Sequence, residues 1–294
     1  LRVIQKSALI FFVTIVGLEL ILQSIGFVMR MATVNEVGRA LDENIKNKIF
    51  RVMVLGESTS YGVLLEERLR DAYPFLLVKK LNALQEDLRV VVTNYSYPGQ
   101  ISDSVKEVFK QNFRQLKPDL VILHFGVNDT NIALNPYLKM SLLGWEIPSS
   151  LHNIKLVKLA MISHSYMSGK RKFYTKGRDG QFVYYNKNLE GHESYNDYFD
   201  QSYLNYKEIV EVLKNTSTSY LMLSYFTGPE EIYNLLRTIK EEYNSHYIDL
   251  KLEETEENKS LFADDEWHPS KKGHEVIAQK IIVYIKEHRD YFFK

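Results

Sequence analysis

The chain has 294 residues, 45% of them apolar and 25% charged, a composition that supplies a real hydrophobic core. Lys plus Arg and Asp plus Glu are equal at 37 each, so no net field draws the chain to nucleic acid. Cysteine is absent, which excludes disulfides, thiol nucleophiles and Cys-ligated zinc.

From Ala8 to Met29 the sequence reads "ALIFFVTIVGLELILQSIGFVM", close to the length that a bilayer span requires. Residues 1–31 are therefore expected to be an uncleaved N-terminal transmembrane helix, with a signal peptide cleaved near Ser24-Ile25-Gly26 as the alternative. Either would export the remainder and place the domain outside the cytoplasm, periplasmic or at the cell surface. Glu19 opposes a lipid-exposed helix, because a carboxylate at mid-span costs on the order of a few kcal/mol.

A polar linker over 32–49 leads into an alternation of short apolar runs and amphipathic segments. Strands are expected at 50–56, 88–96, 118–126, 219–225 and 246–250. Helices are expected at 73–84 (with Pro74 in the first turn), 102–116 (capped by Ser102 or Asp103), 202–214, 229–243 and 270–288. The last should turn Val276, Ile277, Ile281, Tyr284 and Ile285 inward. Runs that are apolar on both faces predict a mostly parallel sheet covered on both sides, a three-layer α/β/α sandwich. Between about 131 and 200 the periodicity fails, and a Tyr- and Lys-rich insertion is expected, with a short hairpin around Gly177–Gly180.

Four stretches lie at or beyond strand ends, where open parallel sheets gather function. Ser58 follows Gly56 in "GESTS"; as a lone feature it reads as a helix cap. "YPGQ" (97–100) holds Gly99 in a turn, and glycine allows close backbone approach to a ligand. "GVND" (126–129) offers the amide donors of Asn128. "DDEWHP" (264–269) sets Asp265 three residues before His268, so that one loop can hold a carboxylate against an imidazole and orient its other nitrogen as a base. His124 reads as a packed core residue and His274 as a solvent-facing helical one. A metal site is not expected, because no second histidine completes one.

Taken in order, these blocks resemble the SGNH hydrolases, or GDSL esterase/lipase superfamily, named for Ser, Gly, Asn and His in four sequential blocks. The matching positions here are Ser58, Gly99, Asn128 and His268, with Asp265 in the D-x-x-H-P pattern. The resemblance runs from about 50 to 288 and is carried only by the blocks; 131–200 has none of it. Glu57 stands where the family usually has Asp, and Thr59 where Leu is common.

The resemblance implies an SGNH/flavodoxin-like fold over 50–294 and a serine ester hydrolase that needs no metal or organic cofactor. It implies Ser58 as nucleophile, His268 as base and Asp265 as its orienter. The backbone N–H groups of Ser58 and Gly99 and the amide of Asn128 would form the oxyanion hole. The expected substrate is an O-acylated, above all O-acetylated, extracytoplasmic glycan. The alternatives are a lipid or lysophospholipid ester, acyl transfer to a surface polysaccharide, and a non-catalytic accessory protein.

Overall fold

The computed structural model describes residues 2–35, 48–84, 88–130, 195–253 and 255–293, with short pieces between 140 and 183. Five strands form one sheet: β1 (Lys48–Gly56), β2 (Leu88–Asn94), β3 (Leu120–His124), β4 (Ser219–Leu223) and β5 (Tyr247–Ile248). Their order is β2-β1-β3-β4-β5 and every pairing is parallel. Such pairings need crossover helices, and the amphipathic segments supply them. After a one-turn α2 (Ser58–Tyr61) come α3 (Tyr73–Asn82), α4 (Ser102–Leu116), α5 (Tyr195–Asn215), α6 (Glu230–Tyr243) and α7 (Lys271–Glu287).

Strand alternation distributes the core to two faces. Val52 and Val54 pack with Leu77, Leu81, Ile277 and Ile281 beneath α3 and α7. Met53 and Leu55 pack with Phe109, Phe113, Ile209 and Leu236 beneath α4, α5 and α6. The three-layer α/β/α expectation therefore holds. β3 and β4, in the middle of the sheet, are buried at every residue.

Several local expectations are corrected. Helix α4 begins at residue 102, but its cap residue is Ile101 and no side chain caps it; the Ser102 N–H instead donates to Asp129 Oδ1 at 2.7 Å. His274 is fully buried rather than solvent-facing. It lies on the inner stripe of α7 with Ile277, Ala278, Ile281 and Ile285, while Val276 and Tyr284 are only partly covered.

The N-terminal segment is corrected as well. Residues Arg2–Asn35 form one helix, α1, but among the described residues no helix is long and apolar enough to cross a membrane. Polar groups interrupt its middle. The Glu19 carboxylate accepts from the N–H groups of Lys155 (2.8 Å) and Leu156 (2.9 Å) and from Gln23 (2.6 Å), so it is bound by protein donors.

Most of the expected insertion lies outside the described residues. Within it, Met140–Leu142 pairs antiparallel with Trp145–Ile147, and Thr175–Lys176 with Phe182–Val183. The second pair flanks 177–181, the location expected for a hairpin; 177–181 themselves are outside the description.

Candidate active site

The carboxyl ends of β2, β1 and β3 lie side by side, with Val54 opposite Asn94 and Gly56 opposite His124. This register brings the segments carrying Ser58, Gly99 and Asn128 to one edge of the sheet. Ser58 opens α2 directly after β1. That sharp entry depends on Gly56: a Cβ there would sit 2.3 Å from Ser60 Oγ and 2.8 Å from Ser96 Oγ, far inside contact distance. Among the described residues the Ser58 hydroxyl has no hydrogen-bond partner, whereas Thr59 and Ser60 are buried.

Gly99 stands at φ +73° in the turn after β2, a conformation that favours glycine. The next residue, Gln100, ties this turn to the neighbouring strand end: its amide nitrogen reaches Gly56 O at 2.9 Å and Tyr95 O at 3.3 Å. Gln100 O in turn accepts from Asn128 Nδ2 at 3.1 Å. That bond orients the Asn128 amide with its nitrogen fixed and one hydrogen still free to donate. Asn128 itself sits in a 3-10 turn, Val127–Thr130.

Asp129 anchors that turn. Its Oδ1 accepts from Ser102 N and its Oδ2 from Ser202 Oγ, joining the turn to α4 and α5. Burial pushes the Asp129 carboxyl up to about 6, against hydrogen bonds from Ser102 and Ser202 that act to lower it. Glu57 is fully buried too. Its Oε1 accepts from Gly126 N and from the Tyr225 hydroxyl (3.1 Å). Desolvation, reinforced by the nearby Asp129 carboxylate, raises the Glu57 carboxyl well above the ordinary range.

Asp265 and His268 form a self-contained unit. Asp265 Oδ2 meets His268 Nδ1 at 2.5 Å, while Oδ1 accepts from the backbone of Trp267 (3.0 Å) and His268 (2.9 Å). Burial acts to raise the Asp265 carboxyl, but the hydrogen bonds from the His268 ring and the two backbone N–H groups prevail and hold it below its ordinary value. The loop is closed by Ala263 N to His268 O (2.8 Å) and Ser270 N to Leu261 O (2.8 Å). Ser270 then caps α7, accepting from Gly273 N at 3.2 Å.

Helix α2 and this loop meet at a cavity of about 10 Å³, the size of one water, whose lining includes Thr59, His124, Tyr225, Trp267 and Pro269. The sequence-predicted residues are thus placed as follows. Gly99, Asn128 and Ser58 share the strand-end edge; Asp265 and His268 are hydrogen-bonded to each other and flank the same cavity through their neighbours. Ser58 Oγ and His268 are not hydrogen-bonded to one another in this structure, among the described residues.

The reading of isolated motifs overlooked a buried polar layer beneath the edge. Ser60 Oγ and Tyr73 Oη lie 2.7 Å apart and both approach His124 Nδ1, at 3.2 and 3.3 Å. Asn94 donates to Ser60 O at 2.9 Å, and His274 Nδ1 accepts from Tyr73 N at 3.2 Å. His124 is the packed core residue that was expected. Desolvation drives both His124 and His274 down to about 3, leaving them neutral imidazoles. The sequence signal for Glu57 and Asp129 was their position shortly after the buried ends of β1 and β3, where a charged residue needs a partner.

Residues 54–276 match a family model described as GDSL-like Lipase/Acylhydrolase family. Solved structures with the same fold include the psychrotrophic esterase EstA from Pseudoalteromonas sp., at 16% identity and a TM-score of 0.50, covering 82% of this chain and 98% of that one. The lipase/acylhydrolase from Enterococcus faecalis is 16% identical with a TM-score of 0.50, over 81% and 96% of the two chains. Axe2, an acetylxylan esterase from Geobacillus stearothermophilus, is 16% identical with a TM-score of 0.50, over 81% and 95%. Comparison with curated protein sequences finds no match.

Proposed function

Since the chain belongs to the GDSL-like lipase/acylhydrolase family and is a serine ester hydrolase, we propose that it removes short O-acyl groups, acetyl above all, from a carbohydrate outside the cytoplasm. The observation that carries the catalytic assignment is the Asp265–His268 pair. With Nδ1 engaged by Asp265 at 2.5 Å, the imidazole presents Nε2 as the basic nitrogen.

In this reading His268 takes the Ser58 proton as Oγ bonds to the acyl carbon. The carbonyl electron pair moves onto oxygen, where the N–H groups of Ser58 and Gly99 and the free amide hydrogen of Asn128 receive it. Collapse breaks the ester C–O bond, and His268 returns the proton to the leaving sugar hydroxyl. Water, deprotonated by His268, then releases acetate and restores Ser58. Asp265 stabilises the imidazolium at each stage.

Two observations support this reading. The similar Axe2 structure is that of an acetylxylan esterase. Placement outside the cytoplasm is supported by the apolar segment 8–29, whose helix leaves Ile10, Phe11, Leu20, Ile21 and Val28 more than half exposed. Those exposed apolar side chains favour a second reading, a lipid or lysophospholipid ester presented at a bilayer surface.

One experiment tests both. The purified chain is offered acetylated xylooligosaccharides and medium-chain glyceryl esters, with released and transferred acetate measured separately. Acetate release from the glycan, abolished in Ser58→Ala together with fluorophosphonate labelling, is the expected result. Preference for the glyceryl esters would select the second reading, and activity surviving in Ser58→Ala would remove the nucleophile.

A further inference from the structure

Glu57 invites a question that the chemistry at Ser58 leaves unanswered. It is a fully buried carboxyl, adjacent in sequence to the nucleophile, and it does not touch a reacting atom in the mechanism above. Its reach is long. The carboxyl leaves β1, passes the end of β3 and meets Tyr225, which lies two residues beyond the end of β4. Aspartate in this position would be shorter by one methylene.

Its contacts converge on one short segment. Gly126 N donates to Glu57 Oε1. The Tyr225 hydroxyl donates to the same oxygen at 3.1 Å and accepts from Val127 N at 3.4 Å. The Asn128 N–H also faces the carboxyl. Three successive backbone N–H groups, 126 to 128, are thus read by the Glu57–Tyr225 pair. Gly126, at φ +116°, adopts the conformation that this convergence needs, and a Cβ there would lie 2.8 Å from Ile232.

We propose that Glu57, acting with Tyr225 as a neutral carboxylic acid, is a positioning residue that sets the Gly126–Asn128 segment and so aims the Asn128 amide at the site of Ser58. The inference rests on the functional reading above. Neutrality follows from the surroundings. Glu57 Oε2 is buried with no hydrogen-bond partner among the described residues, and an ionised oxygen so placed would be strongly disfavoured. The titratable groups facing it are the Asp129 carboxyl and the hydroxyls of Tyr225 and Tyr206; among the described residues no lysine or arginine is paired with it. Raising the pH would ionise Glu57, repel Asp129 and disturb the segment.

The test uses hydrolysis of p-nitrophenyl acetate by the full chain across pH 6 to 10. Glu57→Gln keeps the accepting oxygen and cannot ionise; it should hold kcat within about threefold at neutral pH and flatten the alkaline fall of the unsubstituted protein. Glu57→Asp should lower kcat by about tenfold or more with KM within twofold, since the segment is misplaced and substrate contacts are kept. Tyr225→Phe, which retains the ring in the core, should lower kcat several-fold in the same manner and serves if Glu57→Asp fails to fold. Loss of activity in Glu57→Gln equal to that in Glu57→Asp, or the same alkaline profile in Glu57→Gln as in the parent, overturns the inference. So does parental kcat in both Glu57→Asp and Tyr225→Phe. Ser58→Ala separates the two levels: activity surviving there defeats the functional reading, whereas a dead Ser58→Ala with indifferent Glu57 variants defeats the inference alone.

Discussion

The two halves of the candidate site are built in opposite ways. The half that carries Ser58 is assembled from three strand ends and is held by buried, long-range bonds: Asp129 to α4 and α5, Gln100 to Gly56, and Glu57 to Tyr225. The half that carries His268 is four residues of one loop, with Asp265 accepting from the ring and backbone of His268 and from Trp267. The Asp265 side chain is 36% exposed. The first half is tied to the fold through these buried bonds; the second can lose its chemistry while the fold stands.

Asp265→Asn sharpens that contrast most. The amide would favour the wrong imidazole tautomer, and kcat should fall by about 10³ to 10⁴, the scale seen when a triad carboxylate is made neutral. Melting temperature should barely change, because the residue is partly exposed and its contacts are local. A large drop in melting temperature would show that the base loop is structurally tied to the core after all.

Asn128→Ala is expected to lower kcat by about 10² to 10³ with little change in KM, the signature of a donor that acts on the developing oxyanion. A raised KM with unchanged kcat would make Asn128 a ground-state binding residue. Gly56→Ala comes next, with kcat about tenfold to a hundredfold lower and stability reduced by roughly 1–3 kcal/mol, the cost of forcing extra volume into a packed interior. Here activity and melting should fall together, which distinguishes this half from the Asp265 loop.

The same division explains what the sequence disclosed. Strand and helix positions were legible because β3 and β4 are buried throughout and apolar at most positions, and the helices keep their 3.6-residue stripe. Asp265 and His268 were legible because their interaction is local, three residues apart. The polar layer under Ser58 was not, since Ser60, Tyr73, His124 and His274 come from four separate segments brought together only by the parallel sheet and its crossovers. His274 is the instructive miss. Its position in step with Ile277, Ala278 and Ile281 marked the inner face of α7, but histidine's polarity suggested solvent. Glu57 misled in a similar manner: as the family's Asp replaced by Glu it looked like a local packing variation, and only the sheet order reveals that it reaches Tyr225.

The buried histidines also make a smaller prediction, read through stability. His274 titrates near 3 in the folded chain, against an ordinary value of about 6.5 in the unfolded one. Between those values the unfolded chain binds a proton that the folded chain refuses, so the stability contribution is full above about pH 6.5 and is lost as pH falls toward 3. His124 acts with the same sign. Asp129, raised to about 6, and Glu57, also raised, act with the opposite sign: each costs stability as pH rises through the window between its ordinary and its folded value. The four partly cancel between about pH 4 and 6, which hides each of them in the parent. His274→Asn exposes one. Asn Oδ1 can accept from Tyr73 N where His274 Nδ1 does now, and it takes up no proton. Denaturant unfolding at several pH values between 4 and 6.5 should therefore differ between parent and variant by a slope of about 1.4 kcal/mol per pH unit, one proton's worth. Parallel curves would mean that folding does not keep His274 from its proton.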